Sequence, residues 1–197
     1  MFFYKNRNMI NDLVKRNRSY RRFDESVRIK YENLLDWIDL ARLSPSSKNQ
    51  QALKFMPIVD EKECAMLFDQ LAWAGYLADW DGPIVGERPV AYITILGDKK
   101  LGSKFETDMG IAAQSILLGA VDSGFGGCMI GSIKRTRVKE AFNISDDLSV
   151  LLVIALGKAA EKVVIEKCSE NNIQYWRDKS GAHHVPKRSI EDLIIKT

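Results

Sequence analysis

The sequence predicts one domain, residues 1–197, in which helices and buried strands surround a single central helix. Three observations carry that expectation. Over residues 109–122, Ile111, Ala112, Ala113, Ile116, Leu117, Leu118, Ala120 and Val121 fall on every side, and a helix apolar all round must be buried. Residues 89–96 and 150–156 are near-continuous apolar runs closed by Gly97-Asp98 and Gly157-Lys158, the pattern of buried strands. The 197 residues, 46% hydrophobic and 28% charged, suit one sizeable globular domain and do not demand two.

Taken from the N-terminus, Ile10, Leu13 and Val14 share helical spacing, so a short helix leads into Asn17-Arg18-Ser19-Tyr20-Arg21-Arg22-Phe23. That stretch sets three guanidinium forks and a serine hydroxyl close together, a donor set matched to phosphate oxygens. A helix C-terminus repels anions, so the arginines themselves must supply the attraction. Leu34, Ile38 and Ala41, flanked by Leu35, Trp37 and Leu43, predict a helix over 31–43, stopped by Ser44-Pro45. The polar segment Ser44-Pro45-Ser46-Ser47-Lys48-Asn49-Gln50-Gln51 reads either as a surface turn or as a loop offering hydroxyls, an amide and backbone N–H groups to a heteroaromatic ligand. Residues 55–59 form an edge strand or strand end because of Pro57, and 61–75 a helix with Cys64, Leu67, Phe68 and Leu71 on one side.

The aromatic stretch from Trp73 to Trp80 suits core, a subunit interface or a cover over a ligand. Asp108 reads as the N-cap of the central helix, whose small residues (Gly110, Ala112, Ala113, Gly119, Ala120) would admit another backbone. In Ser123-Gly124-Phe125-Gly126-Gly127-Cys128-Met129-Ile130-Gly131 the glycines permit positive φ and close approach to a ligand. A further helix is expected over 136–142. Near the end stand Tyr175-Trp176-Arg177-Asp178, His183-His184 and a second basic pair, Lys187-Arg188.

Several function classes are disfavoured. The net charge of +3 is too small to imply nucleic acid or a membrane surface, although it gathers between Lys15 and Lys30 and again at Lys187-Arg188. Cys64, Cys128 and Cys168 stand far apart, which argues against a disulfide framework or zinc and suits a reducing cytoplasm. No secretory segment opens the chain and no run is apolar enough to span a bilayer, so a cytoplasmic protein is expected. GxGxxG, GxxxxGK[ST] and GxSxG are all missing, which counts against Rossmann, P-loop and serine-hydrolase chemistry. Adjacent histidines on an extended chain face opposite ways with no ligating partner at metal spacing, so no metal site is expected.

Four segments, met in order, make the chain resemble the nitroreductase family of flavoproteins from about residue 10 to 195: Asn17 to Phe23; Ser44 to Gln51; Asp108-Met109-Gly110-Ile111-Ala112-Ala113-Gln114 with Gly126-Gly127-Cys128-Met129-Ile130-Gly131; and Ala155-Leu156-Gly157-Lys158. The resemblance implies an α+β fold, with a central mainly antiparallel sheet wrapped by helices. It also implies a homodimer with exchanged tails and two FMN sites, each built from both subunits. Arg18, Ser19 and Arg21 would hold the FMN phosphate and the polar edge of the flavin, and Lys187 and Arg188 would join the phosphate site. Pro45, Ser46, Ser47 and Asn49 would come from the partner, while Met129, Ile130 and Gly131 would lie against the ring system. The chain departs from family habit at Asn17, Ala52 and Gly131. The implied activity is FMN-dependent NAD(P)H oxidation coupled, in a ping-pong cycle, to reduction of nitroaromatics, quinones or similar small acceptors, with no protein acid or base required. The alternative is a flavin-binding relative with another role: dehalogenation, flavin fragmentation or binding without catalysis.

Overall fold

The most apolar strand of the chain is the one to which most of the sheet attaches. A computed structural model describes residues 9–169 and 172–195. In chain order its elements are α1 (Met9–Arg16), β1 (Phe23–Asp24), α2 (Tyr31–Leu43), β2 (Leu53–Ile58), α3 (Glu61–Phe68), β3 (Ala91–Asp98), α4 (Glu106–Asp122), β4 (Gly126–Ile130), α5 (Arg135–Ala141), β5 (Leu148–Ala159), β6 (Val163–Lys167), β7 (Trp176–Arg177) and β8 (His183–Lys187). Strand β5 pairs with β3 along one edge and with β4 and β1 on the other, β2 closes the far side, and every pairing is antiparallel. The class is α+β, as expected. The N-terminal residues on which the absence of a secretory segment was read lie outside the described residues.

Both faces of this sheet are covered, which is why β3 and β5 read as continuous rather than alternating apolar runs. Ile93, Ile95, Ile154 and Leu156 pack with Leu34 and Trp37 of α2 and with Ala113, Ile116 and Ala120 of α4. Tyr92, Val153 and Ala155 face the other way, onto Cys64 and Leu67 of α3 and Val138 of α5. A register shift at Ile95/Leu96 opposes Leu96 to Val150, moving Val150 onto the second face. Gly119 would place a Cβ 2.6 Å from Leu40 Cδ1 and 3.0 Å from Trp37 Cδ1, so the small residues of α4 admit side chains of α2 rather than a backbone.

Three local expectations are corrected. The helix expected over 61–75 ends at Phe68, because Ala72 N donates to Ser132 O (3.0 Å) and Lys134 N to Gln70 O (2.9 Å), tying 70–72 to another part of the chain. Asp108 is not the N-cap of α4: Phe105 holds that position, and Asp108 is buried in the first turn. Gly157 does not end a strand; β5 continues to Ala159, with glycine required where a Cβ would meet the Phe23 ring at 2.7 Å. Beyond the main sheet, β6, β8 and β7 form a three-stranded sheet in which β6 and β8 run parallel. Among the described residues no helix is long and apolar enough to cross a membrane.

Candidate functional site

The arginine stretch is shaped by two backbone contacts and one buried carboxylate. Helix α1 ends as Asn17 N donates to Leu13 O (2.8 Å), and Tyr20 N then donates to Gly127 O (3.0 Å), so the segment runs alongside β4. Gly127 is needed here for packing: a Cβ would lie 2.5 Å from Ala155 O and 2.7 Å from Leu117 Cδ2. Of the glycines between 124 and 131 only Gly124 takes a positive φ, and only Gly131 faces open space. The expectation that these glycines serve a ligand is thereby narrowed to Gly131. Glu161, its side chain 2% exposed, accepts from the backbone N–H groups of Arg21 and Arg22 and from Arg177 Nη2 (2.8 Å). One carboxylate so clamps both ends of the chain together.

The arginine side chains then point into a cleft. Arg18 Nη2 donates to Val14 O (2.7 Å), while its Nε is buried and has no partner among the described residues. Arg21 Nη1 donates to Ser19 O (3.3 Å) and to His183 Nε2 (3.2 Å), and its guanidinium lies 4.9 Å from the Tyr175 ring. Tyr175 in turn packs against Tyr76 (4.9 Å) and His183 (5.2 Å). A cavity of about 290 Å³ is lined by Arg18, Ser19, Arg21, Met129, His183 and Lys187, among others. A second, of about 170 Å³, is lined by Arg21, Cys128, Met129, Ile130, Gly131 and Tyr175, among others. They share Arg21, Met129 and Tyr175. Together they reach the size range of small-molecule sites, roughly 300–1,000 Å³.

The fold thus gathers Arg18, Ser19, Arg21, Met129, Ile130, Gly131 and Lys187 around one cleft. Arg188, one residue beyond the end of β8, lines neither cavity. Pro45 and Ser46 line a separate cavity of about 240 Å³ beside Asp108, and Ser47 and Asn49 lie in the same loop. That loop is held by Ser47 N donating to Asp108 Oδ1 (2.9 Å), and Lys48, Asn49 and Gln51 all adopt positive φ. Left-handed conformations at three non-glycine residues are costly, and such strain gathers where a loop must present particular groups. Sequence reading names Tyr175, His183 and Gln114 without giving them a place in the site, and does not single out Glu161. Their contacts with the arginine stretch arise only through tertiary packing.

The paired histidines carry opposite electrostatics. A guanidinium cannot accept, so His183 Nε2 is the acceptor from Arg21 and the imidazole is neutral with its proton on Nδ1. Burial first, and Arg21 second, hold its pKa down at about 4. His184 is flanked by Asp178 (3.1 Å from Nε2) and Glu166 (3.0 Å from Nδ1), and Trp176 stacks on it at 4.1 Å. Two carboxylates facing both ring nitrogens favour the imidazolium, so its pKa is raised, chiefly by Asp178. The carboxyl of Asp178 is held well below the usual range, first by Ser180 and then by His184. The expectation of no partner beside His184 is therefore corrected: β6 and the β7–β8 turn bring the acids in. Even so, among the described residues no group of three or more His, Cys, Asp or Glu is placed to hold a metal ion.

These shifts have a definite sign. His184's contribution to stability is full below its unfolded value of about 6.5 and is lost as pH rises through its higher folded value. His183 acts in reverse, opposing folding as pH falls from about 6.5 toward 4. An NMR titration of the ring protons should show one histidine neutral down to near pH 4 and the other still charged above pH 6.5. Two histidines titrating together near 6.5 would contradict this geometry.

Comparison with known proteins adds the following. The family model described as the Nitroreductase family matches residues 14–158. "Putative NAD(P)H nitroreductase YodC" of Bacillus subtilis (strain 168) is 23% identical, over 76% of this chain and 89% of that one. A nitroreductase family protein from Streptococcus pneumoniae TIGR4 superposes with a TM-score of 0.67 at 18% identity, covering 95% of this chain and 100% of the other. An Exiguobacterium sibiricum 255-15 protein solved in complex with FMN gives 0.66 at 21% identity, covering 85% and 96%.

Proposed function

Because the chain belongs to the nitroreductase family, we propose that it is an FMN-dependent oxidoreductase taking electrons from NAD(P)H and passing them to small acceptors such as nitroaromatics or quinones. The two substrates use one site in turn. The observation that carries this reading is the convergence of Arg18, Arg21 and Lys187, from opposite ends of the chain, on one cavity. The donor set fits the group. Among the described residues Arg18 Nε is buried and unpartnered, and three cations against one hydroxyl-bearing loop suit a phosphate. Arg18, Ser19 and Lys187 hold the phosphate, and Arg21, fixed by His183, holds the polar edge of the flavin. Met129, Ile130 and Gly131 face the ring system, in the half of the cleft without Lys187. FMN, when bound, supplies the hydride and electron chemistry. The protein positions it, stabilises developing negative charge through Arg21 and keeps water away with Tyr175 and Met129.

The same reading makes the protein a homodimer in which Pro45, Ser46, Ser47 and Asn49 serve the partner's site and the tail beyond Lys187 crosses over. Its support is a set of exposed apolar side chains (Ile10 and Val14 on α1, Leu35 and Leu43 on α2, and Ile190, Leu193 and Ile194 in the tail) that the described residues leave uncovered. Arg188 joins the phosphate site only in such an arrangement.

Purified protein should be yellow, and NADH or NADPH should bleach it. Arg18→Ala should weaken FMN binding about tenfold or more, as expected for a charged hydrogen-bond donor. Lys15→Ala, a substitution on the exposed side of α1, should leave it nearly unchanged. A colourless preparation that takes up no added FMN would sink the proposal.

A further inference from the structure

We propose that Tyr175 is the positioning residue of the cleft: its ring fixes the guanidinium of Arg21, and through Arg21 it sets how well the site holds a reduced flavin. The second half of this inference rests on the flavin reading; the first stands on contacts within the chain. Three stretches distant in sequence meet on this half-buried side chain. The Arg21 guanidinium lies over its ring at 4.9 Å, the Tyr76 ring packs against it at 4.9 Å, and the His183 ring at 5.2 Å. The Tyr175 hydroxyl also accepts from Tyr76 N (3.3 Å), a long bond that adds direction to the ring contact. Tyr175 and Arg21 line both halves of the cleft, so a shift of either alters the whole site.

Arg21 needs such a restraint. Its backbone N–H is held by Glu161, but among the described residues its guanidinium makes no ion pair. The bonds to Ser19 O (3.3 Å) and His183 Nε2 (3.2 Å) are long and both leave from Nη1, so they pin one corner of the fork and not its plane. An aromatic face within about 6 Å attracts the cation and gives that plane a surface to lie against. Tyr76 backs the ring from a segment held in shape by a turn, in which Leu77 N donates to Ala74 O (2.8 Å) and Ala74 takes a φ of 37°. A cation fixed at the polar edge of a flavin stabilises the negative charge of the reduced form more than it stabilises the oxidised ring. A displaced Arg21 therefore lowers the flavin potential. Arg21 also reports its own position without any ligand, because the pKa of His183 is held at about 4 first by burial and second by Arg21.

The test compares the full chain, as purified, with Tyr175→Leu, Tyr175→Phe, Arg21→Gln and the double variant Tyr175→Leu/Arg21→Gln. NMR titration of the ring protons follows His183, and spectroelectrochemistry follows bound FMN. Tyr175→Leu should raise the His183 midpoint above its value of about 4. That rise should shrink by more than half in the Arg21→Gln background, where no charge is left to displace. Tyr175→Leu should also hold reduced FMN about tenfold less tightly relative to oxidised FMN, a fall of about 30 mV for a two-electron couple. Tyr175→Phe keeps the ring and should retain most of both properties. A rise of equal size in the two backgrounds would mean that Tyr175 acts by burial alone and would overturn the proposal. So would a phenylalanine variant as impaired as the leucine one, or an unmoved potential in a Tyr175→Leu protein that binds FMN. A chain that takes up no FMN defeats the flavin reading and the second half with it, while the His183 comparison still decides whether Tyr175 positions Arg21.

Discussion

Replacing Glu161 with alanine is expected to lower the unfolding free energy by about 3–5 kcal/mol, the loss typical when one partner of a buried ion pair is removed. Arg177 would be left 12% exposed with no counter-charge, and the N–H groups of Arg21 and Arg22 would lose their acceptor. For a chain of this size the unfolding midpoint should fall by roughly 6–20 °C. Glu161→Gln keeps an acceptor for the two amides and should lose less. Urea denaturation of both variants decides the point. A loss below about 1 kcal/mol in the alanine variant would show that the pair behaves like an exposed one.

Under the flavin assignment, Arg21→Ala should lower FMN affinity by about 10- to 150-fold, equivalent to the roughly 1.5–3 kcal/mol of a hydrogen bond to a charged group. Arg21 lines both halves of the cleft, is stacked on Tyr175 and is anchored to His183, so its loss removes a donor and loosens the wall. Arg21→Lys keeps the charge and loses the planar fork, and should fall between wild type and alanine. Quenching of FMN fluorescence on titration with protein measures all three. A change smaller than about threefold in the alanine variant would remove Arg21 from the site.

The legible part of the fold was the part encoded in local burial. The continuous apolar runs that became β3 and β5 are covered on both faces, and the all-round apolar helix became α4 between the sheet and α2. Short or interrupted elements read less well. The helix after Asp60 was drawn too long because 69–75 keep apolar residues that in fact face the core from a turn held to 132–134. The glycines of β4 were read for a ligand, yet Gly126 accommodates the Tyr20 ring and Gly127 the Ala155 carbonyl. A missing Cβ looks the same in sequence whatever occupies the space.

For the site, the arginine stretch and Lys187 could be marked in advance because charge and hydrogen-bonding capacity belong to the residue itself. Which groups restrain them could not. Glu161 stands 140 residues from Arg21, and His183 stands 162 away. His183 and His184 are neighbours of one type, yet one is held neutral against Arg21 while the other has its charged form favoured by Asp178 and Glu166. A β-strand sends successive side chains to opposite faces, and the pairing of β8 with β6 and β7 decides what each face meets. The sequence by itself determined the apolar elements, the basic stretch and the family. Tertiary structure alone decided anchoring, the electrostatic surroundings of each histidine and which side chains of one chain line the cleft, because those depend on partners brought together by strand register rather than by chain order.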